Sequence, residues 1–308
     1  MSRANGSDVS VRAELRRRGL SHVGGDVVRR FKEADGTSHT RALGYQGTFA
    51  MLSGFIGLIG LASVLGIDAL RGTMVEMSKT VAPGPSGQLL QEAARQSSGG
   101  AAALIGLGAS LVSGTLAMAQ IERSANRISG RTQDRPGVQR FLVAFVLALS
   151  AGILAAVGLL ILGGGRAIAT GFGWTGAVSD AWMVLRWILG IVAAWAGLYL
   201  LFRWAPERPL GGRGPRMAGV LVSLVLSVVF TIALSVWFSI SSSAQTYGPL
   251  VTVIALLLWA GATSFALHLG MAVTAELSSE RSFAAAAAAG ASERGATVRV
   301  PDVATDRT

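Results

Sequence analysis

The sequence predicts an all-α, polytopic membrane protein: a bundle of six transmembrane helices, preceded by an amphipathic helix at the membrane interface. Three observations lead there. The 308 residues are 51% hydrophobic and only 14% charged, and the mean hydropathy is +0.52. A soluble domain of this size carries about 25% charged residues. Six apolar runs, roughly 45–67, 100–119, 141–163, 183–202, 217–239 and 249–274, reach the about 20 residues needed to cross hydrocarbon. Finally, 22 of the 27 Lys and Arg fall on one side of a six-span arrangement. Cytoplasmic segments carry that excess, so both termini are expected in the cytoplasm. The net charge of +10 then follows from topology, and no nucleic-acid partner is needed to explain it.

Residues 1–41 form a basic arm, with "AELRRRG" and "VVRRFKEADG" interleaving arginines with Leu15, Leu20, Val27, Val28 and Phe31. Over 25–34 this pattern suits a helix lying on the inner leaflet, its arginines toward anionic headgroups. For 1–24 an interfacial helix and a disordered arm fit equally well. The first apolar run starts only after this arm, which is unlike a secretory signal peptide, so span one is expected to be retained. Residues 42–282 make up the six-helix domain. The loop 68–99 contains "VAPGPSGQ", whose Pro and Gly break regular structure, and a short helix could occupy 86–95. Trp174 and Trp182 sit where interface aromatics belong. The short connection "SISSSAQTYG" makes spans five and six antiparallel neighbours. The tail 283–308 lacks periodicity and is expected to be disordered.

Small residues recur every four positions: Ala102, Gly106, Ser110 and Gly114 in span two; Ala148, Gly152 and Ala156 in span three; Ala262, Ala266, Gly270 and Thr274 in span six. In lipid, such ladders let helix backbones approach closely, so a tightly packed bundle is expected.

Four stretches together resemble the YihY/virulence factor BrkB family of bacterial inner-membrane proteins. They are "RALGYQGTFAMLSGF" at the entry to span one and "SANRISGRTQDRPGVQRFLVAF", with Asn126, Arg135 and Pro136. The third is "LYLLFRWAPERPLGGRGPRMAG", and the fourth is the Tyr247–Gly248 corner leading into span six with Trp259. The resemblance spans roughly 25–282 and implies six spans with both ends inside. Ala272 and Thr274 stand where family members often carry Glu and Asn, and Glu276 follows one turn later. The resemblance implies a location and a fold more than an activity, although some members carry a ribonuclease label.

The residues argue against an enzyme. There is no cysteine and there are only three histidines, His22, His39 and His268, and none has zinc-ligand spacing with acidic residues. No phosphate-binding loop is present, and a ribonuclease would need acid–base groups clustered beside a basic cleft. No cofactor is expected. For transport, polar groups inside the membrane are the informative residues. The candidates are His268, Ser264, Glu276, Asp68, Arg186, Asn126 and Tyr247. Asp68 and Arg186 could pair at the outer face, or each could reach headgroups separately. The hydroxyls of the spans are expected to bond their own or neighbouring backbones. His268, in the inner half of span six, is either a neutral buried histidine bonded to a neighbour or a titratable group in a vestibule with Glu276. Export of a small or lipid-like solute is the leading expectation, and a non-conducting scaffold is the alternative. The bilayer is the expected partner, with a homo-oligomer compatible.

Overall fold

A computed structural model describes residues 20–66, 99–131, 133–163, 169, 173–207, 212–240 and 249–297. Among them are seven helices and no strand: α1 (Leu20–Glu33), α2 (Gly36–Val64), α3 (Gly99–Ile128), α4 (Gly137–Gly163), α5 (Ala177–Trp204), α6 (Arg213–Ile240) and α7 (Pro249–Thr297). Helices α2 to α7 are each long and apolar enough to cross a membrane. The helices overrun their apolar cores. α2 begins at Gly36 and α3 continues to Ile128, because nothing in "SHTRAL" or "QIERSANRI" opposes helix once the span has nucleated it. Asp68, Tyr247, the loop 68–98 with its expected short helix and the segment 1–19 lie outside the described residues.

The chain order is also the packing order. Each of α2 to α6 contacts the next, α6 packs on α7, and α7 returns to pack on α2, closing a ring; α7 also touches α1 and α3. Two crossings are set by glycine. At α2–α3, a Cβ on Gly106 would collide with the backbone of Gly57, and one on Gly57 would lie 2.5 Å from the Leu107 amide nitrogen. At α6–α7, a Cβ on Gly270 would strike the carbonyl of Gly219 and the hydroxyl of Ser223. Any side chain there would force the helices apart, so these contacts exist only because the residues are glycine. The ladders of spans two and six thus lie in helix contacts. In span three, Ala148 packs against Gly114, while Gly152 faces open space.

The chain turns sharply between α1 and α2 at Asp35, whose backbone is left-handed (φ 52), a conformation that Asp tolerates better than most residues. The corner folds α1 back onto the bundle. Val23, Val27 and Phe31, four residues apart, are buried, and the Phe31 ring meets Phe265 of α7 edge-on at 5.4 Å. The apolar side of α1 therefore rests on protein rather than on lipid tails, which amends the expectation for this helix. In the tail, α7 runs on as helix to Thr297, through the run "FAAAAAAG" built from the strongest helix former, and residues 298–308 lie outside the described residues.

Large fully buried side chains gather at one end of the ring, the end carrying α1. They include Phe202, Ile128, Met271, His268, Glu122, Val220 and Asn126. Beyond Ala148 on α4, before Phe202 on α5 and beyond Ser223 on α6, no described side chain is buried.

Candidate functional site

The buried polar side chains follow from how α2, α3 and α7 meet at the α1 end. Ser264 and His268 lie one turn apart on α7 and face α2. The His268 side chain is 0% exposed. Its Nδ1–H donates to the Ser264 carbonyl at 2.8 Å, which leaves Nε2 as a bare acceptor. That Nε2 has no hydrogen-bond partner among the described residues. The Ser264 hydroxyl donates to the Thr40 carbonyl at 3.0 Å, tying α7 to α2. His39 of α2 lies nearly parallel to the His268 ring, centroids 6.4 Å apart. The Gln120 amide of α3 donates to His39 Nδ1 at 2.6 Å and accepts from Arg123 at 2.7 Å. A polar row therefore runs from the half-exposed Arg123 inward to His268.

A second cluster joins α3, the 131–136 connection and the end of α5. Glu122, 2% exposed, faces the Arg135 guanidinium at 3.3 Å and accepts the Arg135 backbone N–H at 3.3 Å. A carboxylate this deep needs both a counter-charge and hydrogen bonds. Arg135 donates in turn to the carbonyls of Ala205 (2.9 Å), Pro206 (2.7 Å) and Trp204 (3.4 Å). These are carbonyls at and just past the C-terminus of α5, where a cation is favoured. Asn126 donates to Asp134 at 3.0 Å and accepts the Glu207 N–H at 3.4 Å. Arg127 stands 3.6 Å from the other Asp134 oxygen.

Glu276 is paired with α1, its carboxylate 2.7 Å from Arg30 Nε. The alternative that set Glu276 in a vestibule with His268 gives way to a pairing with Arg30, because α1 folds over this end of α7. Ser223 of α6 bonds the Ala266 carbonyl (3.1 Å), while His268 faces α2. Arg186 sits on α5 with its guanidinium 5.6 Å from the Trp187 ring. Its proposed partner Asp68 and the corner residue Tyr247 are outside the described residues. Span hydroxyls bond backbone as expected, with Thr231 to Ser227 (2.7 Å), Thr263 to Trp259 (2.9 Å) and Ser110 across to Ala50 (2.8 Å).

Sequence reasoning missed Glu122, Arg123 and Gln120 and took Arg135 only as a landmark. The available signal was Glu122 and Asn126 at i, i+4 beside Ile121, Ala125 and Ile128 (one face of a helix that continues past the apolar run).

Between α4 and α5, at the same end, a cleft of about 500 Å3 is lined by Leu142, Val143, Val146 and Leu147 on one side. Arg203, Trp204, Pro206 and Glu207 line the other, with Arg135 at its base. Its volume is in the range of small-ligand sites, about 300–1,000 Å3.

Searches of curated proteins and of solved structures return no match. Family comparison does: residues 27–296 match the pattern of Virulence factor BrkB. With that match across most of the chain and six helices able to cross a bilayer, the chain is a multi-pass integral membrane protein and belongs to the virulence factor BrkB family.

Proposed function

We propose that this chain is a bacterial inner-membrane transporter that moves or exports a small, lipid-like solute and has no enzymatic activity of its own. The observation supporting this best is the cleft between α4 and α5, apolar along α4 and charged at its mouth. An amphiphile can enter such a cleft sideways from the bilayer, with its tail left in hydrocarbon. A polar solute on the bundle axis would instead have to pass His268, which is sealed by Ser264 and Thr40. The uncovered lengths of α4, α5 and α6 fit the same reading, because elements that move are drawn from the less packed part of a structure.

In this reading both termini are cytoplasmic. The α1 end, which holds most of the arginines, faces the cytoplasm, where Arg29 of α1 is held by Asp26 at 2.8 Å. Reporter fusions at residues 130 and 210 should read cytoplasmic, and one near 90 external; reversed signals would sink this orientation. The second reading, a non-conducting scaffold, is favoured by the filled surroundings of His268. The test uses purified protein in vesicles holding fluorescent phospholipids, with the outer leaflet quenched by dithionite. Folded protein should speed lipid exchange between leaflets well beyond protein-free vesicles. No acceleration for any lipid class would leave the scaffold standing.

A further inference from the structure

At the mouth of the α4–α5 cleft two opposite charges sit four residues apart. Arg203 closes the last turn of α5, and Glu207 follows just beyond it. Both are exposed. Among the described residues neither side chain is engaged in an ion pair, with each other or with a third group. Arg135, deeper in the cleft, is a different case. Glu122 offsets its charge, and its terminal nitrogens are spent on three carbonyls. Among its described lining residues the cleft therefore presents one available cation and one available anion, four residues apart.

Below them the wall is apolar. Leu142 and Val146 are 60% and 61% exposed, and Trp204 at the rim is 57% exposed. From Leu142 to Leu147 the wall runs about 8 Å along the helix axis. An amphipathic Trp beside an Arg at a helix end is the arrangement found where hydrocarbon meets headgroups.

The geometry points to an aminophospholipid site, occupied by a phosphodiester headgroup bearing a primary ammonium. The phosphate pairs with Arg203, whose planar fork of N–H donors suits phosphate oxygens. The ammonium, a few bonds away, donates to Glu207. The first part of an acyl chain lies on Leu142, Val143 and Val146. A headgroup whose only charge is the phosphate would leave Glu207 without a counter-charge, and a trimethylated headgroup could not donate a hydrogen bond to that carboxylate. The proposal rests on the lipid-transport reading for its context and names the headgroup for the same cleft. Binding and movement are measured separately, so either can fail alone.

The experiment is native mass spectrometry of detergent-purified, delipidated full-length protein. It is given equal amounts of phosphatidylethanolamine, phosphatidylglycerol and phosphatidylcholine with identical acyl chains. The expected result is retention of phosphatidylethanolamine about tenfold above the other two, the effect of one charge-assisted hydrogen bond. Glu207→Gln should bring phosphatidylethanolamine down to the level of phosphatidylcholine. Arg203→Gln should weaken all three, and Val146→Trp should displace all three by filling the cleft. These side chains are exposed, so unchanged melting of the variants serves as the folding control. Equal retention of the three lipids by the unmodified protein would overturn the site, as would a preference for phosphatidylglycerol. So would ethanolamine selectivity that survives Glu207→Gln, or retention indifferent to Val146→Trp. If the lipid binds as expected yet dithionite-protected exchange is not accelerated, the site stands and the transport reading fails.

Discussion

Gly270→Ala is the sharpest probe of how this bundle is held together. A methyl group on Gly270 would collide with the Gly219 carbonyl and the Ser223 hydroxyl of α6 and come within 3.1 Å of Ser223 Cβ. The hydroxyl can rotate away, at the expense of its bond to the Ala266 carbonyl, worth about 0.6 kcal/mol between membrane helices. The carbonyl oxygen cannot move unless α6 moves. Overpacking of this kind costs about 1–3 kcal/mol, against a gain of about 1 kcal/mol from replacing glycine by alanine within a helix. The expected net loss is about 1–2 kcal/mol. Gly261 supplies the control in the same helix: a Cβ there meets nothing within 4 Å, so Gly261→Ala should be neutral or stabilising. Both are read as shifts in the midpoint of reversible unfolding by a denaturing detergent. Adding Ser223→Ala to Gly270→Ala should restore only part of the loss, because the carbonyl contact remains. Equal midpoints for Gly261→Ala and Gly270→Ala would refute the close-contact account, and full rescue would reduce it to a hydroxyl clash.

The buried ion pair should respond asymmetrically. Glu122→Ala leaves Arg135 its three carbonyls and should cost about 3 kcal/mol, whereas Arg135→Ala strands a carboxylate 2% exposed and should cost about 5 kcal/mol; unfolding midpoints that rank the other way would contradict this. Glu276→Ala removes the carboxylate that holds Arg30, so trypsin should cut at Arg29, Arg30 and Lys32 several-fold faster while the six-helix core keeps its melting behaviour; an unchanged cleavage rate would mean that the apolar face of α1 suffices. Diethyl pyrocarbonate, mapped by peptide mass, should modify the exposed His22 and spare His268, which is 0% exposed; prompt modification of His268 in folded protein would put water beside it.

The spans were legible because hydrocarbon thickness imposes a length and excludes charge, and both leave marks on composition. The ladders at Gly106 and Gly270 were legible for a related reason, since small residues at fixed spacing mark a surface another helix can reach. Their partners Gly57 and Gly219 were not, because spacing on one helix says nothing about which helix arrives. Of the two readings of His268, the buried histidine bonded to a neighbour matches the Nδ1–H donated to the Ser264 carbonyl, and Glu276, named for the vestibule alternative, is paired elsewhere. Glu276 lies two turns away on the same helix, but α1 folds over and takes it. The region 120–140 was read for its charge count and its family landmarks, and neither can separate a solvated arginine from Arg135, locked between Glu122 and the end of α5. The tail after Ser282 was read from its lack of periodicity, a test that a run of alanine cannot pass although alanine is the residue most prone to extend a helix already formed.

These parts constrain where motion can occur. At the α1 end, the pairs Glu122–Arg135 and Arg30–Glu276 bind α1, α3, α5 and α7 to one another. The glycine contacts bring α2 against α3 and α6 against α7 with no slack. Opening along the axis past His268 would break several of these at once. Parting α4 from α5 breaks none of them beyond the Arg135 carbonyl contacts, because both helices are uncovered over most of their length. The absence of cysteine makes this testable without a background of native thiols. Leu142→Cys with Trp204→Cys places thiols on the two walls of the cleft, and Ala50→Cys with Ser110→Cys places them across the tight α2–α3 contact. If the chain moves lipid as proposed, a short bis-maleimide joining the first pair should stop exchange between leaflets, whereas joining the second should leave it unchanged. The opposite pattern would move the route from the α4–α5 cleft to the α2–α3 side of the bundle, and with it the significance of the polar row that ends at His268.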